Sequence, residues 1–203
     1  MPNSTRRARE RASTHDRIIE AALRVLEGEG VAALTIRRIA AEVEYTAPVV
    51  YQHFANKDAL VLRLVVHGYD RLLARFRQVV EEPDIDRRML RAASEYVRFA
   101  GDHPHLYEAM NGTAVDADER RRAAEPAIDV LKELLTAWSD AHGVDLADRD
   151  EACEIVWGTL YGMASLGFLG TVGTEHAQRL AEQALSAILR GWQTPGEPMR
   201  SQH

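Results

Sequence analysis

From Ile18 the apolar positions run Ile18, Ile19, Ala22, Leu23 and Leu26, the i, i+3/i+4 recurrence of a half-buried helix. Ser13 or Thr14 can cap its start, with Asp16 three residues after Ser13 as in a capping box, and Gly28 and Gly30 supply its end. Thr35 then stands where an N-cap belongs, and Leu34 and Ile39 occupy the two positions of a hydrophobic staple. The spacing predicts a short second helix over about 36 to 43. The turn Val43-Glu44-Tyr45 leads to Thr46, a further N-cap, with Tyr45 and Val50 as another staple pair. Pro48 falls in the first turn of the third helix, where its missing N–H forfeits no hydrogen bond. Asn56 caps a fourth helix that begins at Lys57. Two short helices joined by a tight turn and braced by a longer one make a helix-turn-helix.

The pattern stays helical beyond Lys57. Helices are expected over about 57 to 81 and 86 to 100, then a short one through Leu106, Tyr107 and Met110. A loop over 111–118 should precede helices at about 123 to 142, 147 to 169 and 175 to 192. Strand signals are absent, so the expected fold class is all-α with about nine helices. Four segments are expected: a flexible Arg-rich arm (1–14), a three-helix DNA-binding head (15–60), a larger helical body for ligand binding and dimerisation (61–193), and a disordered tail (194–203).

The ordered set Ala22-Leu23, Gly30, Leu34-Thr35, Ile39-Ala40, Tyr51-Gln52-His53-Phe54, Asn56-Lys57 and Leu60 resembles the TetR (tetracycline-repressor-like) family of transcription regulators. That resemblance covers the first third of the chain. One position departs: Glu44 stands where the family's turn usually has Gly, at a place that often needs a positive φ. The resemblance implies a small DNA-binding head on a helical body, phosphate contacts from Thr35, Tyr51 and Lys57, and a dimer formed by the last two helices.

Side-chain chemistry points the same way. The Thr35 and Tyr51 hydroxyls and the Lys57 ammonium suit phosphate oxygens, and helix N-termini add N–H donors. Arg37 and Arg38 lie in the first turn of helix two, a poor place for a cation unless a phosphate or base edge lies opposite; otherwise they are solvated surface. Tyr45, Thr46, Ala47, Pro48, Val49 and Gln52 form the candidate base-reading surface. Ala47, Pro48 and Val49 can touch thymine methyls, which leaves polar readout to Gln52, Thr46 and Arg37. His53 belongs to the same stretch and is expected to pack at the helix end.

Charge sharpens the division. Through His67 the chain carries 10 Lys/Arg against 8 Asp/Glu, and from Gly68 onward 15 against 23. Binding to nucleic acid should therefore be confined to one face. Arg6, Arg7, Arg9 and Arg11 are either a minor-groove arm or a solubilising leader. Cys153 is the single cysteine, which suits a reducing cytoplasm, and no stretch reaches membrane-spanning length. His103 and His105 across Pro104 make a poor metal site, and no catalytic motif or cofactor signature is found. No enzyme activity, metal or cofactor is expected.

In the body, Gly158, Gly162 and Ser165 recur on one side of a helix, and Leu180, Ala184 and Ile188 widen the apolar stripe of the last one. Both should serve a homodimer interface; otherwise the two helices fill the core of a single chain. His103-Pro104-His105-Leu106-Tyr107 and Trp157-Gly158-Thr159-Leu160-Tyr161-Gly162 resemble stretches found in a subset of the same family. Tyr96, Phe99, Tyr107, Met110, Trp138, Trp157, Tyr161 and Met163 could line an apolar or aromatic effector pocket, or be ordinary core. The function expected is a cytoplasmic repressor, released from a palindromic operator by a small molecule. The alternative is a helical ligand-binding or scaffold protein with weakened DNA binding.

Overall fold

A computed structural model describes residues 2–194; beyond Thr194, the expected tail over 194–203 lies outside the described residues. These residues form α1 (Pro2–Glu29), a 3-10 turn (Val31–Ala33), α2 (Ile36–Glu42), α3 (Ala47–Tyr51), α4 (Lys57–Val79), α5 (Ile85–Asp102), α6 (Pro104–Asn111), α7 (Ala117–His142), α8 (Arg149–Phe168) and α9 (Thr174–Gln193). Nine α-helices and no strand occur among the described residues. The all-α expectation holds.

The chain divides into two compact units. One comprises residues up to Asp70 together with His103–Ala124, and the other Arg71–Asp102 with the chain from Glu125 onward. The boundary therefore does not fall near residue 60, because α6 and the start of α7 pack with the head.

The first unit is organised around Ile18, Leu26, Leu34, Ile39, Leu60, Leu64 and Leu106, all essentially without exposed surface. Burying one such side chain stabilises by roughly 1.5–3 kcal/mol. α6 reaches this core because Gly68 of α4 leaves room: a Cβ there would lie 2.5 Å from the Met110 sulfur. Gly30 ends α1 at φ 80, its N–H bonded to the Leu26 carbonyl at 2.9 Å.

Two expectations in this unit are corrected. Residues expected as a flexible arm are instead the first half of α1. The stretch is rich in strong helix formers, Arg6 pairs with Glu10 one turn on at 2.8 Å, and the Thr14 hydroxyl donates back to the Glu10 carbonyl at 3.0 Å. Thr14 is thus a mid-helix residue and not a cap. α7 also begins earlier than expected, because the Asp116 carboxylate accepts from the N–H groups of Asp118 and Glu119.

In the second unit α5, α8 and α9 pack on one another, over a core that includes Met89, Phe99, Val156, Ala181 and Leu185. Gly101 of α5 lets α9 approach so closely that a Cβ would lie 2.5 Å from the Thr174 methyl. The Trp138 indole, fully buried on α7, donates to the Asp86 carboxylate of α5 at 2.9 Å. Pro126 lies inside α7, where it deletes the backbone bond to the carbonyl four residues earlier.

Candidate nucleic-acid interface

The helix-turn-helix is built as its sequence dictates. Thr35 lies at φ −134, ψ 149 and its hydroxyl oxygen accepts from the Arg38 N–H at 3.1 Å. The staple partners Leu34 and Ile39 are both fully buried. A side-chain cap of this kind contributes about 1 kcal/mol. α2 then stops in a Schellman turn: the Tyr45 N–H bonds the Ala40 carbonyl at 2.9 Å and the Glu44 N–H bonds the Ala41 carbonyl at 3.2 Å. Glu44 sits at φ 57, the only non-glycine with positive φ among the described residues. The turn keeps the geometry that glycine usually supplies, with the cost of a Cβ added. On α3, Val50 is fully buried, which anchors the short helix and turns its opposite side outward.

What faces outward is chemically mixed. Thr46 spends no side-chain bond on capping, and it is exposed together with Pro48 and Gln52. Ala47 and Val49 are half-buried, so part of their apolar surface is already used in packing. Tyr51 is 55% exposed, the largest open ring of the head. The Thr35 hydroxyl proton remains available, since the cap uses only the oxygen. Lys57 donates to the Val31 carbonyl at 3.1 Å, which fixes the ammonium at the mouth of α4 and leaves further donors for a ligand. Asn56 caps that helix by accepting from the Ala59 N–H at 2.8 Å.

The cations around α2 differ sharply. Arg37 is exposed and has no carboxylate partner among the described residues, whereas Arg38 pairs with both Glu29 and Glu42 at 3.0 Å. Arg38 is thus largely neutralised in place. Tyr45, expected on the reading surface, is held from α1: the Arg17 guanidinium donates to its hydroxyl at 2.7 Å and lies 5.0 Å from the ring centre. Two arginines of α1 therefore shape this face: Arg17, missed in the sequence, and one that the sequence named only as part of the arm. The second is Arg11, whose guanidinium donates to the Gln52 carbonyl at 3.3 Å. Their signal was the helical register of α1, which places both toward α2 and α3. His53 packs beside His15 (ring centres 5.8 Å apart), as expected of a residue at the helix end. Burial, followed by the charges of His15 and Arg11, pushes its imidazole below the usual histidine range.

The twelve residues expected to contact DNA thus all fall in the first unit. The expected effector residues are divided between the two units. Tyr107 and Met110 are buried on α6 in the first, while Tyr96, Phe99 and Trp138 are buried in the second. Trp157 and Tyr161 stand 40% and 41% exposed on α8, and Met163 is half-buried there. A polar hollow of about 500 Å³ on α7, lined by Asp129, Lys132, Glu133, Thr136, Ala137 and Asp140, involves none of them. The residues expected at the dimer interface are exposed or half-buried on α8 and α9. A Cβ on Gly158 or Gly162 would meet nothing within 4 Å, and Ser165, Leu180, Ala184 and Ile188 are half-buried. Ile155 and Leu169 are exposed apolar side chains of the same unit. Among the described residues no group of three His, Cys, Asp or Glu could hold a metal ion. His103 pairs with Glu27 at 3.2 Å.

Comparison with known proteins completes the picture. Residues 18–64 match the model for bacterial regulatory proteins of the tetR family, and residues 89–188 match a tetracyclin repressor-like C-terminal domain. The chain belongs to the tetR family. It is a helix-turn-helix, DNA-binding transcription regulator. An uncharacterized HTH-type transcriptional regulator of Bacillus subtilis, YobS, is 30% identical over 47% of this chain and 50% of its own length. Another, Rv0681 of Mycobacterium tuberculosis, is 26% identical over 81% of this chain and 75% of its own. The chain thus spans half of the first relative and three quarters of the second. Among solved structures, the fatty acid degradation regulator FadR of Bacillus halodurans shares the fold at a TM-score of 0.72, with 18% identity over 84% of this chain and 93% of its own. No helix of the described residues is long and apolar enough to cross a membrane.

Proposed function

We propose that this tetR-family regulator is a cytoplasmic, non-enzymatic repressor that binds a palindromic operator as a homodimer and is released by a small molecule. The observation that carries the DNA-binding part is the outward side of α3: Thr46, Pro48 and Gln52 are exposed, with Tyr51, Thr35 and Lys57 beside them as phosphate donors. Phosphate contacts from these three fix orientation, while Gln52, Thr46 and the apolar Ala47, Pro48 and Val49 read base edges. Dimerisation is supported by the open glycines of α8, where a second helix can approach closely, and by the half-buried stripe of α9. A two-fold pair of α3 helices suits half-sites about 34–36 Å apart.

An apolar or aromatic effector is favoured by the aromatic content of α5 to α8. Release would follow from a change in α4, which begins in the first unit and ends in the second. A ligand acts this way only by binding one arrangement better than the other.

The direct test is Tyr51→Phe and Lys57→Gln, measured by salt-dependent binding. Each should weaken binding to all duplexes; Lys57→Gln, which removes a charge, should also lower the salt slope by roughly 0.9 for each phosphate no longer neutralised, whereas Tyr51→Phe removes a neutral hydroxyl and should leave the slope unchanged. Unchanged affinity in both would mean that the reading surface lies elsewhere. A second reading, a ligand-binding or scaffold protein with a weak head, draws on the Glu44 carboxylate in the turn and on Arg38, whose charge two carboxylates absorb. A gel shift against the chain's own upstream region separates the two.

A further inference from the structure

We propose that the N-terminal turns of α1 form a second DNA-contacting element, in which Arg7 and Arg11 grip backbone phosphates flanking the site that α3 reads. The inference rests on the DNA-binding reading above and adds residues to it. In the lower part of α1 the buried stripe runs through Ile18, Ala22 and Val25, each no more than 4% exposed. Continued toward the N-terminus at the same three- and four-residue steps, that stripe passes through His15 or Thr14 to Arg11 and then Arg7. Where the head ends, arginines replace apolar residues on the same side of the helix. Both are exposed.

The placement beside α3 is direct. The Arg11 guanidinium donates to the carbonyl of Gln52, the last residue of the reading surface, at 3.3 Å. One turn below, His15 stacks on Phe54 with ring centres 4.9 Å apart, which ties this part of α1 to the end of α3. Arg7 lies one turn beyond Arg11, about 6 Å along the axis. Its planar fork can therefore reach a phosphate next along the strand from one held by Arg11 or Tyr51. The carboxylates of the stretch do not cancel this face. Glu10 is paired with Arg6 at 2.8 Å, and Asp16 lies on the opposite side of the helix. Arg9, two residues from each of the proposed pair, also points to that opposite side.

A helical clamp and a diffuse basic tail predict different results. Salt dependence of binding is measured on the operator recovered by selection and on an unrelated duplex, for the wild type, R7Q/R11Q, R7K/R11K and R9Q. Circular dichroism of each variant reports its helix content. The double Gln variant should lower the salt slope by about 1.8 for each head engaged, hence by about 3.6 for a dimer seated on its operator, and in the same sense on the unrelated duplex. Between 50 and 200 mM salt, the wild type should then lose about 12-fold more affinity than this variant per engaged head, on the order of 150-fold for the dimer on its operator. R7K/R11K should restore most of the slope, and R9Q should leave it unchanged. An equal drop in R9Q would mean that charge acts without regard to helical face, and an unchanged slope in R7Q/R11Q would mean that neither arginine touches a phosphate; either overturns the clamp alone. Failure of the wild type to bind either duplex overturns the DNA-binding reading beneath it.

Discussion

Glu44 offers a clean separation of backbone strain from charge. It holds φ 57 in the turn between α2 and α3, is exposed, and contributes one backbone bond to the Schellman turn, from its N–H to the Ala41 carbonyl. A non-glycine residue in this region costs roughly 1–2 kcal/mol. Glu44→Gly removes that cost but adds about 0.4–1 kcal/mol of unfolded-chain entropy. The net expectation is a gain of about 0.5–1 kcal/mol, or a rise in thermal midpoint of about 1–4 °C for a chain of this size. Glu44→Gln keeps the Cβ and the strain while discarding the charge, so its midpoint should stay near the wild type. DNA binding should respond to charge alone. At about 8 Å from a phosphate, the carboxylate costs roughly 0.5 kcal/mol in water, about twofold per head, and less at 0.15 M salt, where the screening length is about 8 Å. Both variants should therefore bind somewhat tighter at low salt and converge on the wild type at high salt. Calorimetry and fluorescence anisotropy read the two effects independently. Equal stabilisation by Gln and Gly would refute the strain assignment, and tighter binding by Gly alone would refute the electrostatic one.

Two other substitutions probe the two units. Gly162→Leu adds a side chain whose Cβ meets nothing within 4 Å among the described residues, so the variant should fold about as well, helped by roughly 1 kcal/mol of helix propensity, yet lose the dimer in sedimentation; a dimer of unchanged strength would remove α8 from the interface. The lowered pKa of His53 means that the unfolded chain takes up a proton there more readily than the folded one. Stability from this group is complete above the ordinary value of 6.5 and is lost as pH falls through that value toward the folded pKa. His53→Asn should flatten the decline in thermal midpoint between about pH 7 and 5, and an identical decline would show that other groups set it.

Local signals made the head legible because each is decided within a few residues. Thr35 caps, Leu34 and Ile39 staple, Asn56 caps, and even the positive φ of Glu44 follows from its place in the turn. The first half of α1 was harder, since a mostly polar stretch shows no apolar period; its helix rests on propensity and on the Arg6–Glu10 pair. Long-range partners were not legible at all. Nothing local indicates that Arg17 would hold Tyr45, that Arg38 would be shared by Glu29 and Glu42, or that the Trp138 indole would find Asp86 fifty-two residues away. The proposed effector residues show the same limit: aromatic content named them, but whether such a ring is core or lining is set by tertiary neighbours, and Phe99 and Trp138 lie in the core of the second unit.

The most direct measurement is selection of bound duplexes from a random pool by the full-length protein at modest ionic strength, read by sequencing. Two α3 helices related by a two-fold axis should enrich an inverted repeat, with half-site centres one helical turn, about 10–10.5 base pairs, or a multiple of it apart. Recovery of a single unpaired half-site, or of no enriched sequence, would contradict a symmetric pair of reading heads.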